Sequence, residues 1–324
     1  MTPRIGFLGT GWIGRHRMAA MLATGAVEAV AICDPSPECV ADAQALAPGA
    51  QVVETLAAML ALDIDGVVIA TPSALHAAQS IEAFEAGKAV FCQKPLGRTA
   101  AETQSVVDAA RTADRLLGVD LSYRHTDAMR HIAGLVRSGA LGRVFAVDLT
   151  FHNAYGPDKP WFYNAAQSGG GCVIDLGVHL VDLALWTLGF PPVADVDARL
   201  TRGGLPLAAD EVEDYAVAQF AAGDTQVRLA CSWRLNAGRD AVIEAAFYGT
   251  DGGAALRNIG GSFYDFTAER FNGTAATRLA DPPDDWGGRA AAAWAEQLAR
   301  APGFDPQAEQ FVRSAEVLDR IYGR

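Results

Sequence analysis

A chain of 324 residues with a net charge of -12 exceeds the length at which a single hydrophobic core stops growing, so two domains are expected. The negative balance, with no basic aromatic-laced cluster to offset it, repels phosphate backbones and argues against nucleic acid as a partner. Half the residues are hydrophobic and a fifth charged, and no uninterrupted apolar run reaches the roughly 18 residues of a membrane span, so no membrane association is expected.

The N-terminus enters a strand-like run almost at once, without a long apolar segment or cleavage site, and a cytoplasmic location is expected. Cys33, Cys39, Cys92, Cys172 and Cys231 are scattered, without a CxxC pair. Most read as small core residues, and neither a disulfide framework nor a zinc site is indicated.

Residues 3–9 (PRIGFLG) are strand-like, 14–24 helical, 27–33 (VEAVAIC) a second strand and 37–47 a second helix. Short apolar runs follow at 51–53, 66–70, 89–92 and 116–121, separated by alanine-rich helical segments at 74–86 and 99–113. Apolar strands spaced by helices predict an α/β Rossmann domain over 1–121, a doubly wound parallel sheet covered on both faces.

Between the first strand and first helix, GTGWIG gives Gly9, Gly11 and Gly14 the GxGxxG spacing, with Thr10, Trp12 and Ile13 in the same turn. That spacing serves a tight turn, a close backbone approach to a pyrophosphate and helix-to-strand packing. Asp34 follows Gly14 by 20 residues at the end of the second strand, where a carboxylate accepts from both ribose hydroxyls of NAD and repels the extra phosphate of NADP. A cap for the helix after Pro35 is the competing reading of Asp34. Arg15, near enough to reach a phosphate, keeps NADP open as a second cofactor.

ATPSALH, residues 70–76, ends another strand. Ser73 reads as an N-cap and Pro72 as the turn former. Because ligands of open parallel sheets lie outside the carboxyl ends of strands, Ala70, Thr71, Pro72, Ser73 and His76 are expected along the cofactor cleft. VFCQKPLG, residues 90–97, is the next such end. The proline restricts Lys94 to an extended backbone, and Gln93 and Lys94 are expected to face the same cleft.

After Tyr123 and Arg124 the pattern changes. A helical segment at 126–138 precedes alternating strands at 143–151, 193–202, 213–221, 225–235, 241–248 and 262–271, with closing helices at 289–300 and 307–322. A C-terminal α+β domain over 122–324, with a large, mostly antiparallel open sheet, is expected. The loop FHNAYGPDKPWFYN, residues 151–164, offers aromatic faces for sugar C–H surfaces and amides for hydroxyls. Asn153, Tyr155, Trp161, Tyr163 and Asn164 are candidate substrate contacts, with Tyr123 and Arg124 at the junction. A loop that merely buries its aromatics is the alternative.

In GGGCVIDLGVHLVDLALWTLG, residues 169–189, Asp175, His179 and Asp182 recur at i, i+4 and i+7. On an α-helix they share one face of about 60°. Such groups on an apolar helix must pair with each other or with a ligand. A buried structural network is one reading. The other makes His179 the general base for a hydroxyl proton, Lys94 the donor to the developing alkoxide, Asp175 an orienting group and Asp182 structural support.

GTGWIG, Asp34, ATPSALH, QKPLG and the 169–189 segment together resemble the Gfo/Idh/MocA family of NAD(P)-dependent sugar and cyclitol oxidoreductases along the whole chain. The resemblance implies NAD as cofactor, a polyol or sugar substrate, catalytic Lys94, Asp175 and His179, no metal, and a homodimer or homotetramer through the C-terminal sheet. The family's usual Glu-Lys-Pro is Gln93-Lys94-Pro95 here. Neutral glutamine keeps the hydrogen-bonding capacity and removes a neighbouring charge. Three alternatives are carried: reduction of a keto-sugar or small carbonyl compound, a non-catalytic NAD sensor supported only by Gln93, and a metal-dependent dehydrogenase.

Overall fold

In the computed structural model, which describes residues 1–208 and 210–324, the N-terminal part alternates as β1 (Arg4–Leu8), α1 (Trp12–Ala23), β2 (Glu28–Cys33), α2 (Pro37–Leu46), β3 (Gln51–Val52), α3 (Leu56–Leu60), β4 (Gly66–Ile69), α4 (Ser73–Glu85), β5 (Ala89–Cys92), α5 (Ala100–Ala113) and β6 (Leu117–Val119). Among the described residues these strands form a parallel six-stranded sheet ordered β3-β2-β1-β4-β5-β6. β4 and β5 are buried at every position, as strands covered on both faces must be. Ser36, Thr55 and Thr99 cap α2, α3 and α5 by accepting a backbone N–H, each worth about 1 kcal/mol. The strand order reverses between β1 and β4, which sets the carboxyl ends of these two strands at the switch point where such sheets bind ligands.

The next part comprises a 3₁₀ turn (Ser122–His125), α6 (Asp127–Arg137), β7 (Val144–Asn153), a short α7 (Ala165–Ser168), a π-helical turn (Val173–Gly177) and α8 (Val178–Leu188). It continues through β8 (Val193–Arg202), β9 (Leu205–Pro206), β10 (Tyr215–Ala222), β11 (Thr225–Ser232), β12 (Ala241–Gly249), β13 (Gly253–Asn258), β14 (Phe266–Asn272) and β15 (Ala275–Ala280). Among the described residues these make a nine-stranded sheet ordered β15-β14-β13-β12-β7-β11-β10-β8-β9. It is antiparallel except for the β7–β11 pair. The stretch Ala165–Leu188 is long and apolar enough to cross a membrane, yet 83% of its apolar window is buried inside the protein. It is a core segment.

The chain closes with α9 (Arg289–Arg300) and α10 (Glu309–Ile321). It divides into two units, Met1–Ser122 with Gly287–Val312, and Tyr123–Trp286 with Arg313–Arg324. The first unit therefore includes a late segment that the expected 121/122 division assigned to the C-terminal domain. The cause is an apolar face: Ala290, Ala291, Trp294, Ala295 and Leu298 share a core with Ile5, Phe7 and Phe91. Gly66 and Gly118 leave room for the Trp294 ring, since a Cβ on Gly118 would lie 2.5 Å from it.

Candidate active site

The glycine turn ends β1, and its three glycines differ in what demands them. Gly9 has a φ of +83°, and a Cβ there would meet the Ala70 carbonyl oxygen at 2.6 Å. A Cβ on Gly14 would lie 2.1 Å from the Gly9 carbonyl oxygen. A Cβ on Gly11 would meet nothing within 4 Å. The fold therefore requires glycine at 9 and 14, while the space over Gly11 is what a ligand's close approach needs. Thr10 is buried, Ile13 half-buried and Trp12 exposed, its ring 5.8 Å from that of His16.

Asp34 is fixed between two loops. The Thr10 N–H donates to its Oδ2 at 2.6 Å and the Ser36 N–H to its Oδ1 at 2.9 Å. Ser36, not Asp34, caps α2. Each Asp34 oxygen keeps acceptor capacity for a further donor, so the carboxylate fits a ribose diol. Arg15 is paired with Asp42 on α2. Together with the start of α1, these residues fit a dinucleotide.

Ser73 is the first residue of α4 and not its cap; Pro72 occupies the N-cap position, with no side-chain cap hydrogen bond. This corrects the expected role of Ser73, because the helix starts one residue earlier than a serine cap requires. Ala70 and Thr71 are half-buried and Pro72 exposed. Thr71 Oγ1 donates to Gln79 Oε1 at 2.6 Å. The His76 ring is 1% exposed, with Nδ1 2.6 Å from the Pro95 carbonyl oxygen and Nε2 2.7 Å from that of Thr71. Burial pushes the His76 imidazole below its ordinary range, the two carbonyl contacts oppose this, and the Lys94 charge adds to it. His76 thus touches both the loop after β4 and the loop after β5, and its neutral ring donates to one of the two carbonyls. Lys94 is half-buried between Pro95 and Gln93, whose Nε2 donates to Asp120.

In the second unit, Asp175 lies in the π-helical turn and His179 and Asp182 on α8. The single α-helical face expected for the three is thus corrected. A π turn carries more residues per turn, and the segment's entry is held by Glu213, which accepts from Gly171 N–H at 3.1 Å and Val173 N–H at 2.8 Å. The glycines before it are packing residues: a Cβ on Gly171 would lie 1.9 Å from the Glu213 carbonyl oxygen, and one on Gly170 2.0 Å from the Tyr322 hydroxyl.

Trp233 Nε1 donates to Asp175 Oδ2 at 3.1 Å. His179, 8% exposed, packs its ring 4.8 Å from that of Tyr123 and 6.4 Å from that of Phe151. Burial, with Asp175 and Tyr264 nearby, holds the Tyr123 phenol above its usual range. Asp182 accepts from Arg124 Nε at 2.7 Å. Arg124 lies on Asp182 and over the Trp186 and Phe190 rings, so its guanidinium ties the 3₁₀ turn to α8.

The loop candidates divide. Asn164 caps α7. Tyr163 donates to the Pro157 carbonyl oxygen at 2.8 Å and packs edge-on to Trp233. Trp161 stacks on Phe162 at 3.8 Å, and exposed Tyr155 lies 6.0 Å from Phe263. Asn153 Oδ1 is buried and, among the described residues, lacks a hydrogen-bond partner. No group of three potential metal ligands occurs among the described residues. Glu213, Trp233 and Asp120 escape a reading of the sequence because each sits inside a strand-like run with no motif of its own.

Residues 3–121 match the description "Oxidoreductase family, NAD-binding Rossmann fold", and residues 129–255 match "GFO/IDH/MocA C-terminal domain". D-glucoside 3-dehydrogenase of Escherichia coli (strain K12) is 29% identical over 78% of this chain and 76% of its own length. Inositol 2-dehydrogenase of Rhizobium meliloti (strain 1021) is 31% identical over 80% of this chain and 76% of its own. The solved structure of levoglucosan dehydrogenase in complex with NADH and levoglucosan superposes with a TM-score of 0.85 at 21% identity, covering 100% of this chain and 97% of that one; it shares the fold. An NAD-binding Rossmann unit followed by this α+β unit defines an NAD(P)-dependent dehydrogenase acting on CH–OH donors. The chain belongs to the Gfo/Idh/MocA family of oxidoreductases.

Proposed function

We propose that the protein oxidises a hydroxyl-bearing carbon of a sugar, sugar derivative or cyclitol, with NAD as the preferred hydride acceptor. One feature carries this reading: an imidazole and a carboxylate, His179 and Asp175, are held by aromatic neighbours on a segment that is otherwise mostly apolar core, its Asp182 being paired with Arg124. The two relatives named for glucoside and inositol oxidation support the substrate class.

His179 takes the hydroxyl proton, and Lys94 donates a hydrogen bond to the oxygen as its negative charge builds. Asp175, itself oriented by Trp233, orients the sugar or the histidine. NAD held by the glycine turn after β1 and by Asp34 would supply the hydride acceptor that turns the alcohol carbon into a carbonyl. Asn153 offers a buried acceptor for a second hydroxyl. The anchored Asp34 favours NAD. The open face of the large sheet, where β10 alternates buried and exposed positions and Val217 is 37% exposed, supports a homodimer or homotetramer through that face.

The test is the initial rate of NADH formation on aldoses, glycosides and inositols, with wild type beside Lys94→Met. Turnover on a panel member that falls by about 10²–10⁴ in the variant is expected. NADH binding without turnover in either direction on any member would overturn the assignment.

A further inference from the structure

We propose that Asp120 is a positioning residue for Lys94, acting through Gln93; this rests on the role given to Lys94 above. Gln93 immediately precedes that lysine. Its backbone N–H donates to the Ile69 carbonyl oxygen at 2.9 Å, and its Nε2 donates to Asp120 Oδ2 at 2.5 Å. Arg17 Nε donates to the same oxygen at 2.6 Å, while Ser122 Oγ donates to Oδ1 at 2.6 Å and accepts from Arg17 Nη2 at 3.1 Å. Asp120 is 1% exposed and Arg17 7%. The site therefore holds one buried charge of each sign, with Gln93 as a neutral donor into the pair.

On the other side of Lys94, the Pro95 carbonyl oxygen lies 2.6 Å from His76 Nδ1 and accepts from it in the tautomer that carries the proton there. The lysine is thus bracketed by a contact on each neighbour, part-buried at Gln93 and buried at Pro95. An orienting link of this kind matters because a small misplacement of a reacting group is costly.

The amide at position 93 follows from the charge count. A glutamate there would face Asp120 as a second carboxylate, and only its protonated form could donate the same hydrogen bond. Other charged or titratable groups at the site are Arg17 and His16 from α1, in contact at 3.0 Å, and Cys92 and Lys94 flanking Gln93. Arg17 balances one carboxylate, not two. In Gln93→Glu the pair therefore retains a proton well above the ordinary glutamate value of about 4.3. A native state that binds more protons than the unfolded chain loses stability as pH rises through that window.

Urea unfolding and kcat/KM are measured from pH 5 to 9 for wild type, Gln93→Glu, Asp120→Asn and the swapped Gln93→Glu/Asp120→Asn. Gln93→Glu is expected to approach wild type at pH 5 and to lose stability and activity progressively towards pH 9. Asp120→Asn is expected to lose activity by about 10²-fold. The swap, which restores one carboxylate opposite Arg17, is expected to recover most of that loss and to abolish the added pH dependence. Parallel pH curves for Gln93→Glu and wild type, or a swap no better than Asp120→Asn alone, would overturn the proposal. If wild type turns over no panel substrate, the assigned reaction fails while the unfolding cycle still decides the pair.

Discussion

Gly11 and Gly14 differ by a few ångströms of free space, and that difference separates binding from folding. A methyl group at Gly11 has room in the protein, whereas one at Gly14 would lie 2.1 Å from a backbone oxygen. Gly11→Ala is therefore expected to keep the melting temperature within a degree or two and to weaken NADH affinity by about tenfold or more, because only the ligand needs the space. Gly14→Ala is expected to lower the melting temperature, since backbone cannot move aside as a side chain can. Fluorescence titration with NADH beside thermal melts separates the two; equal thermal losses would sink the distinction. The GxGxxG spacing made all three glycines legible in the sequence. Their different reasons were not, because spacing carries no information on what lies opposite a Cβ.

At the scale of elements, the π turn and α8 depend on groups distant in sequence. Glu213, 1% exposed, accepts from Gly171 and Val173 N–H and, at 2.7 Å, from the Tyr322 hydroxyl. Burial raises its carboxyl above the usual range, and these donors oppose the shift. A raised folded value means that folding takes up a proton. The associated stability is present below the unfolded value of about 4.3 and is lost as pH rises through the folded one. Glu213→Gln is expected to remove that slope while adding a constant loss, because its amide turns a donor towards donors. Unfolding curves for the two proteins at several pH values should converge as pH rises; curves that stay parallel would refute the assignment. The parallel sheet was legible from apolar runs of fixed spacing, and the candidate residues from their chemistry. β13 was not, since its first four positions are all buried and show no two-residue alternation. The helical face predicted for Asp175 failed for a related reason: the 3.6-residue period presumes the α-helix that the Glu213 attachment replaces.

Across the whole molecule, the boundary between units is crossed by the chain more than once, and α9 shows why composition hid this. Its Ala290, Ala291, Ala295 and Leu298 are buried, and its largest side chain, Trp294, is 4% exposed between β-strand glycines and 5.8 Å from the Phe91 ring. An alanine-rich helix with a single tryptophan reads as a generic closing helix, and nothing local in it names the sheet that it covers. The partner signal lay more than 170 residues earlier, in Gly66 and Gly118, whose missing side chains form the recess. Removing the indole leaves that recess open, and large-to-small changes of this kind cost about 3–5 kcal/mol. Trp294→Ala is therefore expected to unfold the Rossmann unit at lower urea while the second unit keeps its own transition. NADH binding reports the first unit and near-ultraviolet dichroism of the Tyr123, Phe266 and Trp286 cluster reports the second. A Trp294→Ala protein whose second-unit transition falls while NADH binding holds would place α9 with the wrong unit. Loss of NADH binding first is the result that the shared core of α9, β1 and β5 requires.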